Sequence, residues 1–317
     1  MPGRSLSSEP TPHPGSPSHG GTETVVCPLC GRPAAPGDRF CERDGTPLGD
    51  DPAILARADG DDLAGATHRG RAHQVDEDAF AIGGGERDGG PVHALVVCDG
   101  VSSSSHGEQA AARAAQAALD VLLAGAHAQG PLDGPAALRD AVRAAHRAAC
   151  APGIDAVPGK ASSGTTIVAA LAQAGGLDVA WVGDSRAYLV RSAAASELLT
   201  HDHSWLNEVV ESGEMTAAEA MHSPSAHALT HCLGPLENPD PELPPEPSLV
   251  AVPDVVGARL VLCSDGLWNS AAAPEAIAAL VASAPATADA RALAVHLVRR
   301  GFASGGHDDV TAAVAIL

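Results

Sequence analysis

Residues 260–269 read LVLCSDGLWN, an apolar run that ends on Asp265-Gly266, and residues 94–103, ALVVCDGVSS, repeat the plan and end on Asp99-Gly100. A run of Leu and Val is a rigid β-type support, and an Asp at its exit holds its charge in a fixed place where a loop Asp would wander. The dipeptide by itself leaves a second reading open, because Asp-Gly is also a common turn and then needs no chemistry.

Working outward, HALVVCDG at 93–100 reads as a strand, and GEQAAARAAQAALDVLLAGA at 107–126 reads as a helix, followed by a second helix over 135–150. SSGTTIVAALAQ, GLDVAWVGDS and RAYLVRS are three short β-rich runs separated by Gly-bearing turns, the pattern of an antiparallel meander. Residues 205–222 look helical with a Gly interruption, 235–247 form a Pro-rich loop, and ARLVLCSD is a strand. Two helices, 274–283 and 287–300, precede a closing strand, DVTAAVAIL, at 309–317. Strands joined by tight turns, with helices in pairs, argue against a doubly wound parallel sheet. They predict an α+β fold, with helices layered outside paired antiparallel sheets. Aromatic residues make up only 2% of the chain, so those helices must pack closely through Ala and Leu.

The 317 residues divide by composition. Residues 1–22 are mostly Pro, Ser, Gly, His and Thr and predict a disordered tail. A compact Cys-bearing unit follows at 25–48, then a polar linker at 49–61, then the main domain at 62–317. Acidic residues number 39 against 19 basic, for a net charge of -20. Such a surface repels phosphate backbones and anionic lipids, and the scarcity of aromatics removes a platform for stacking bases, so neither nucleic acid nor membrane is an expected partner. The start has no apolar core of signal-peptide length, no run of 18 apolar residues follows, and seven scattered cysteines suit a reducing compartment, which together predict a cytoplasmic protein.

In the Cys-bearing unit, Cys27, Cys30 and Cys41 have the C-x2-C-x10-C spacing, with Asp44 where a fourth knuckle cysteine would stand. Zn²⁺ takes four ligands in a tetrahedron, so three thiolates and the Asp44 carboxylate predict a structural, zinc-ribbon-like site. The alternative is a small disordered or redox-active thiol cluster. A unit of this size has almost no core and needs the metal to fold.

The main domain carries five local carboxylate groups: 76–78 (DED), Asp99, Asp184, Asp265 and Asp308-Asp309. Most adjoin apolar β-like runs rather than polar helices. Carboxylates converging in a core repel one another, and cations are the usual remedy. Hard oxygen ligands suit Mg²⁺ or Mn²⁺, and a pair of such ions clamps a phosphoryl group and lowers the pKa of a water between them. Gly100 lets a backbone carbonyl approach such an ion. Spacing alone does not show convergence, and solvated or turn-forming acids remain the other reading. No G-x-S-x-G elbow, Walker loop or dinucleotide loop is present.

THRGRAHQVDEDAF, VVCDGVSS, SSGTT, WVGDSRAYL, LTHDHSWL, ALTHCLG, LCSDGLWN and GGHDDVT, in this order across about 66–317, resemble the bacterial branch of the metal-dependent (type 2C, PPM-type) serine/threonine protein phosphatases. The resemblance implies a four-layer α-β-β-α sandwich of two antiparallel sheets with metals in a channel at one end. It implies that Asp99 bridges two Mg²⁺ or Mn²⁺ ions, that the Gly100 carbonyl, Glu77, Asp78, Asp265 and Asp308 complete the metal set, and that Asp184 serves a third, looser ion. It further implies that a water on the bridged pair attacks phosphorus in line, releasing the Ser or Thr of a phosphorylated protein that a kinase has modified. Three departures stand out. The family pattern T-D-x-G-x-x-R-x-x-N-E-D becomes a stretch with His68, His73 and Asp76 at the Asp, Arg and Asn places, so the grip on substrate phosphate falls to His73, or to Arg71 or Arg69. Asn269 stands where some relatives have a further Asp, which bears on the third ion. Val101 stands where DGHGG relatives have a general-acid His, which leaves protonation of the leaving group to water. The alternative is a catalytically weak or inactive phosphatase-like module that binds a phosphoprotein.

Overall fold

The computed structural model describes residues 51 and 53–317, apart from 129, 152–158, 175 and 193–194, together with 32–35, 38 and 43. Cys27, Cys30, Cys41 and Asp44 lie outside the described residues, as does the tail at 1–22. Asp51–Leu317 forms one compact unit.

Numbered along the chain, its strands make two antiparallel sheets. The first has the order β1 (Ile54–Asp59), β2 (Leu63–His68), β11 (Val310–Ile316), β10 (Arg259–Cys263), β7 (Arg186–Ser192) and β8 (Ala195–Leu198). The second has the order β3 (Asp78–Arg87), β4 (Gly90–Asp99), β5 (Ile167–Gln173), β6 (Gly176–Val182) and β9 (Ser248–Val252). The helices α1 (Gly107–His127) and α2 (Gly134–Ala149) cover the second sheet, and α6 (Pro274–Ala282) and α7 (Ala290–Ser304) cover the first. This is the four-layer α-β-β-α sandwich.

The central strands read as unbroken apolar runs because both of their faces are buried. Along β4, Val92, Ala94, Val96 and Cys98 face α1 and α2, while Leu95 and Val97 face the other sheet. In β10 and β11, Val261, Cys263, Val310, Ala312 and Val314 face α6 and α7; Leu260, Leu262, Ala313 and Ala315 meet Leu95, Val97 and Val168 between the sheets. Helix α1 presents Ala110, Ala111, Ala114, Ala115 and Ala118 as its buried stripe, which brings its axis close to the sheet.

Two expectations need correction. The stretch 49–61 is not a linker throughout, because Ile54–Asp59 is β1, paired residue for residue with β2. Its outer positions are exposed, so the sequence looked polar. The run from β5 to β7 is not a single meander. β5 and β6 pair, but at Gly183, with φ of 103°, the chain leaves the second sheet and enters the first as β7 beside β10. That crossing carries Asp184 to the end of the sandwich. Among the described residues, no helix is long and apolar enough to cross a membrane.

Candidate metal centre

The site lies where three connections meet. Asp99 closes β4 directly opposite Asp78, the first residue of β3. Its backbone is fastened to the neighbouring strand: Asp99 N–H donates to Thr166 Oγ1 (3.0 Å), and its carbonyl accepts from Thr166 N (2.8 Å) and Thr165 Oγ1 (2.9 Å). Gly100 N–H donates to the Glu77 carbonyl at 3.0 Å. A Cβ on Gly100 would fall 2.5 Å from the Gly107 carbonyl carbon and 2.7 Å from Glu77 O, so only glycine permits this approach of three backbones.

Asp265 departs from expectation in its local structure. It does not form a turn; it opens a short helix, α5 (Asp265–Trp268), behind Ser264. Ser264 Oγ donates to Asp78 Oδ2 at 2.6 Å and accepts from Thr311 N at 3.0 Å, tying β10, β3 and β11 together beneath the acids. Gly266 is fitted as tightly as Gly100, since a Cβ there would lie 2.0 Å from Asp309 O.

Asp99, Asp184, Asp265 and Asp308 line one cleft of about 530 Å³. Its opposite wall comes from the segment after helices α3 (Trp205–Glu211) and α4 (Ala217–Ala220), with His227, Leu229 and His231. No Lys or Arg is among the described residues that line it. Arg186, two residues after Asp184, is already committed: it donates to both carboxylate oxygens of Asp202, at 2.9 and 2.6 Å, and stacks 3.7 Å over the Trp268 ring. The electrostatic result follows. Burial, then the charges of Asp78, Asp265 and Asp184, holds the Asp99 carboxyl well above the usual range. Burial and Asp76 raise Asp78 likewise. Burial, with Asp308 and Asp184, pushes Asp265 up to about 7; burial, with Asp202, pushes Asp184 to about 6.

This donor set fits hard divalent cations. Oxygen atoms of Glu77 (Oε2) and Asp265 (Oδ1) are buried without a hydrogen-bond partner, which costs free energy unless something positive meets them. All-carboxylate and carbonyl donors are the chemistry of Mg²⁺ and Mn²⁺.

Among the sequence candidates, then, the structure gathers Asp99, Gly100, Asp184, Asp265 and Asp308 around the cleft, with Asp78 paired across the strands with Asp99 and the Glu77 carbonyl bonded to Gly100. The basic candidates are placed otherwise. Arg71 donates to the Gly305 carbonyl at 3.0 Å and lies over the Phe302 ring, and Arg69 donates to the His73 carbonyl. His73 Nδ1 sits 2.8 Å from Asp309 Oδ2, and burial, which opposes its charge, is outweighed by Asp309, Asp308 and Glu77, so its pKa is raised.

Sequence reasoning counted Asp309 among the carboxylate groups but gave it no role. It is buried and accepts from Gly70 N (2.6 Å), Glu77 N (2.6 Å) and His73, so it folds the 70–77 loop over the site. Only its position beside Asp308 hinted at a role. Thr165 and Thr166, noted within SSGTT, fasten Asp99; His231 was noted only within ALTHCLG, and His227 carried no signal.

Comparison with known proteins agrees with this geometry. Residues 64–299 match the family model described as protein phosphatase 2C, and the chain belongs to that family. It is 33% identical over 148 residues to serine/threonine phosphatase stp of Listeria innocua, covering 47% of this chain and 54% of that protein. It is 31% identical over 223 residues to serine/threonine protein phosphatase PstP of Mycobacterium tuberculosis, covering 70% of this chain and 40% of that protein. These matches thus span about half the length of the curated relatives, or less. Among solved structures, the PPM Ser-Thr phosphatase MsPP of Mycobacterium smegmatis, in complex with cacodylate, superposes with a TM-score of 0.59 at 30% identity, covering 80% of this chain and 97% of that one. The catalytic domain of PstP in complex with two manganese ions superposes with a TM-score of 0.60 at 26% identity, covering 83% and 98%.

Proposed function

We propose that this protein hydrolyses phosphoserine and phosphothreonine in protein substrates at a centre of two Mg²⁺ or Mn²⁺ ions. The observation that carries this reading is the meeting of Asp99, Asp184, Asp265 and Asp308 in one cleft whose described lining holds no Lys or Arg to neutralise them. Asp99, with the Gly100 carbonyl, Glu77, Asp78, Asp265 and Asp308, would hold the pair, and Asp184 would serve a third, weaker ion. Two such cations would lower the pKa of a bound water and neutralise phosphoryl oxygens.

The chain's own part is positioning. Thr165 and Thr166 fix the Asp99 backbone, and Ser264 fixes Asp78, so little reorganisation is needed when charge develops in the transition state. His227 and His231 bound the cleft on the substrate side. Val101 offers no proton at the third position of the DGV turn, which leaves protonation of the departing Ser or Thr oxygen to water. The phosphate-gripping role expected of Arg71 and His73 has less support, since Arg71 is held by Gly305 and Phe302 and His73 by Asp309.

Phosphoproteins made by a Ser/Thr kinase are the proposed substrates, and the net charge of -20 favours basic segments around the phosphorylated residue. A cytoplasmic setting suits the free thiols of Cys98, Cys150, Cys232 and Cys263. Cys27, Cys30, Cys41 and Asp44 are proposed as a structural Zn²⁺ site on the strength of their spacing; one zinc per purified chain, lost in Cys27→Ser, is the expected content.

The test is hydrolysis of phosphoserine and phosphothreonine peptides by wild type and Asp99→Ala, with Mn²⁺ and with EDTA. Turnover that needs Mn²⁺ and vanishes in the variant is expected. A wild-type protein that binds Mn²⁺ yet turns nothing over would replace the enzyme with a phosphoprotein-binding module.

A further inference from the structure

Asp309 determines which nitrogen of His73 carries a proton. Its Oδ1 accepts from Gly70 N, and its Oδ2 accepts from Glu77 N and faces His73 Nδ1 at 2.8 Å. Backbone N–H groups only donate, so Asp309 is the acceptor throughout and Nδ1 is protonated. The other ring nitrogen, Nε2, is thereby turned toward Asp308 Oδ1, 3.7 Å away. That separation is too long for a hydrogen bond. It is longer than the ~3.0 Å between adjacent donors of an octahedral cation with bonds of ~2.1 Å and nearer the ~3.4 Å of a tetrahedral one, so a shift of a few tenths of an ångström or more lets both atoms meet one ion. The ligand atoms of His73, Asp308 and Asp309 all lie within 4.8 Å of one another. Beside them, Glu77 Oε2 is buried without a hydrogen-bond partner, 3.9 Å from His73 Nδ1. A histidine that binds a metal through one nitrogen nearly always donates its other N–H to a carboxylate or carbonyl, which fixes the ring and makes it more basic. Asp309 supplies that carboxylate here, and Asp308 already faces the cleft.

We propose that His73 is a nitrogen ligand to the divalent cation held by Asp308, oriented for that role by Asp309. The inference rests on the metal-centre reading above and changes its chemistry: one imidazole among oxygen donors shifts preference from Mg²⁺ toward Mn²⁺, Fe²⁺ or Zn²⁺.

The test is electron spin-echo modulation of Mn²⁺ bound to the full chain, for wild type, His73→Gln and His73→Arg, with isothermal titration of Mn²⁺ and Mg²⁺ alongside. Wild type is expected to show ¹⁴N modulation that changes to ¹⁵N in protein grown on ¹⁵N-histidine and is lost in both variants. Mn²⁺ affinity in the variants falls at least tenfold while Mg²⁺ affinity changes by less than about threefold. Mn²⁺ bound without nitrogen modulation, or with modulation that survives both substitutions, overturns the assignment and leaves the phosphatase reading standing. A wild-type chain that binds no Mn²⁺ at all overturns both. Should either variant fail to fold, the labelled wild type together with the remaining variant still separates these outcomes.

Discussion

A cluster of acids built for cations should be a burden when the cations are removed, and Asp265→Asn measures that burden. Burial and its acidic neighbours lift Asp265 from its ordinary 3.8 to about 7. In the unfolded chain the group ionises near its ordinary value. Below pH ~4 both states are protonated and nothing is lost; between pH ~4 and ~7 the unfolded chain releases its proton first, and metal-free stability falls until the folded group also ionises. At ~1.4 kcal/mol per pH unit, the gap between 3.8 and about 7 corresponds to a destabilisation of up to ~4 kcal/mol above neutral pH. An amide still loses some hydration at this site, so the substitution should recover about 2–3 kcal/mol of it. For a domain of this size that is a rise in Tm of about 5–10 °C. The assay is thermal unfolding in EDTA at pH 5.0 and 7.5, repeated with excess Mn²⁺. In EDTA, wild type should melt lower at pH 7.5 than at pH 5.0, and Asp265→Asn should melt above wild type at pH 7.5. With Mn²⁺ the order should reverse, because wild type alone retains the full ligand set. A wild type whose EDTA melting temperature does not fall between the two pH values, or a variant that melts below it at pH 7.5, would refute this electrostatic reasoning.

Asp309→Ala should act in the opposite direction in EDTA. It strands the N–H groups of Gly70 and Glu77 and should cost about 3 kcal/mol in urea unfolding. Gly100→Ala should lose Mn²⁺ binding and about 1–3 kcal/mol of stability, read by titration and urea unfolding, because its Cβ meets backbone rather than a movable side chain. Asp184→Asn should keep two tight Mn²⁺ ions and lose only a weaker one, a change of stoichiometry that calorimetric titration resolves. Its pKa of about 6 in the metal-free chain further predicts that the apparent affinity for the weaker ion declines as pH falls below 6, since proton and ion then compete for the ligand.

How much of this was legible from the residues depended on range. Strands β4, β10 and β11 and helix α1 were legible because their apolar patterns follow from burial on both faces or along one stripe. The passage from β6 to β7 was not: a Gly-Asp-Ser turn looks the same whether the chain folds back within a sheet or crosses to another, and pairing with β10, far along the chain, settles which. Strand β1 was hidden by its exposed face, and β9 by the Pro-rich loop before it. At the site, Asp99, Asp265 and Asp308 were legible because an acid beside a buried strand is unusual. Pattern alone did not tell Asp308 from Asp309, and only the family resemblance singled out Asp308; adjacent residues point to opposite sides as the strand begins, so one faces the cleft and the other is consumed by backbone donors. His227 and His231 reach the cleft only through the folding of the segment that follows α4.

A crystal of the full chain grown with excess manganese, with anomalous scattering recorded at the manganese edge, addresses the founding claim without intermediaries. Two strong peaks should lie in the cleft, both within bonding distance of Asp99, one also touching Asp265 or Asp308. Peaks confined to the surface, with these three side chains turned into separate regions of solvent, would contradict it.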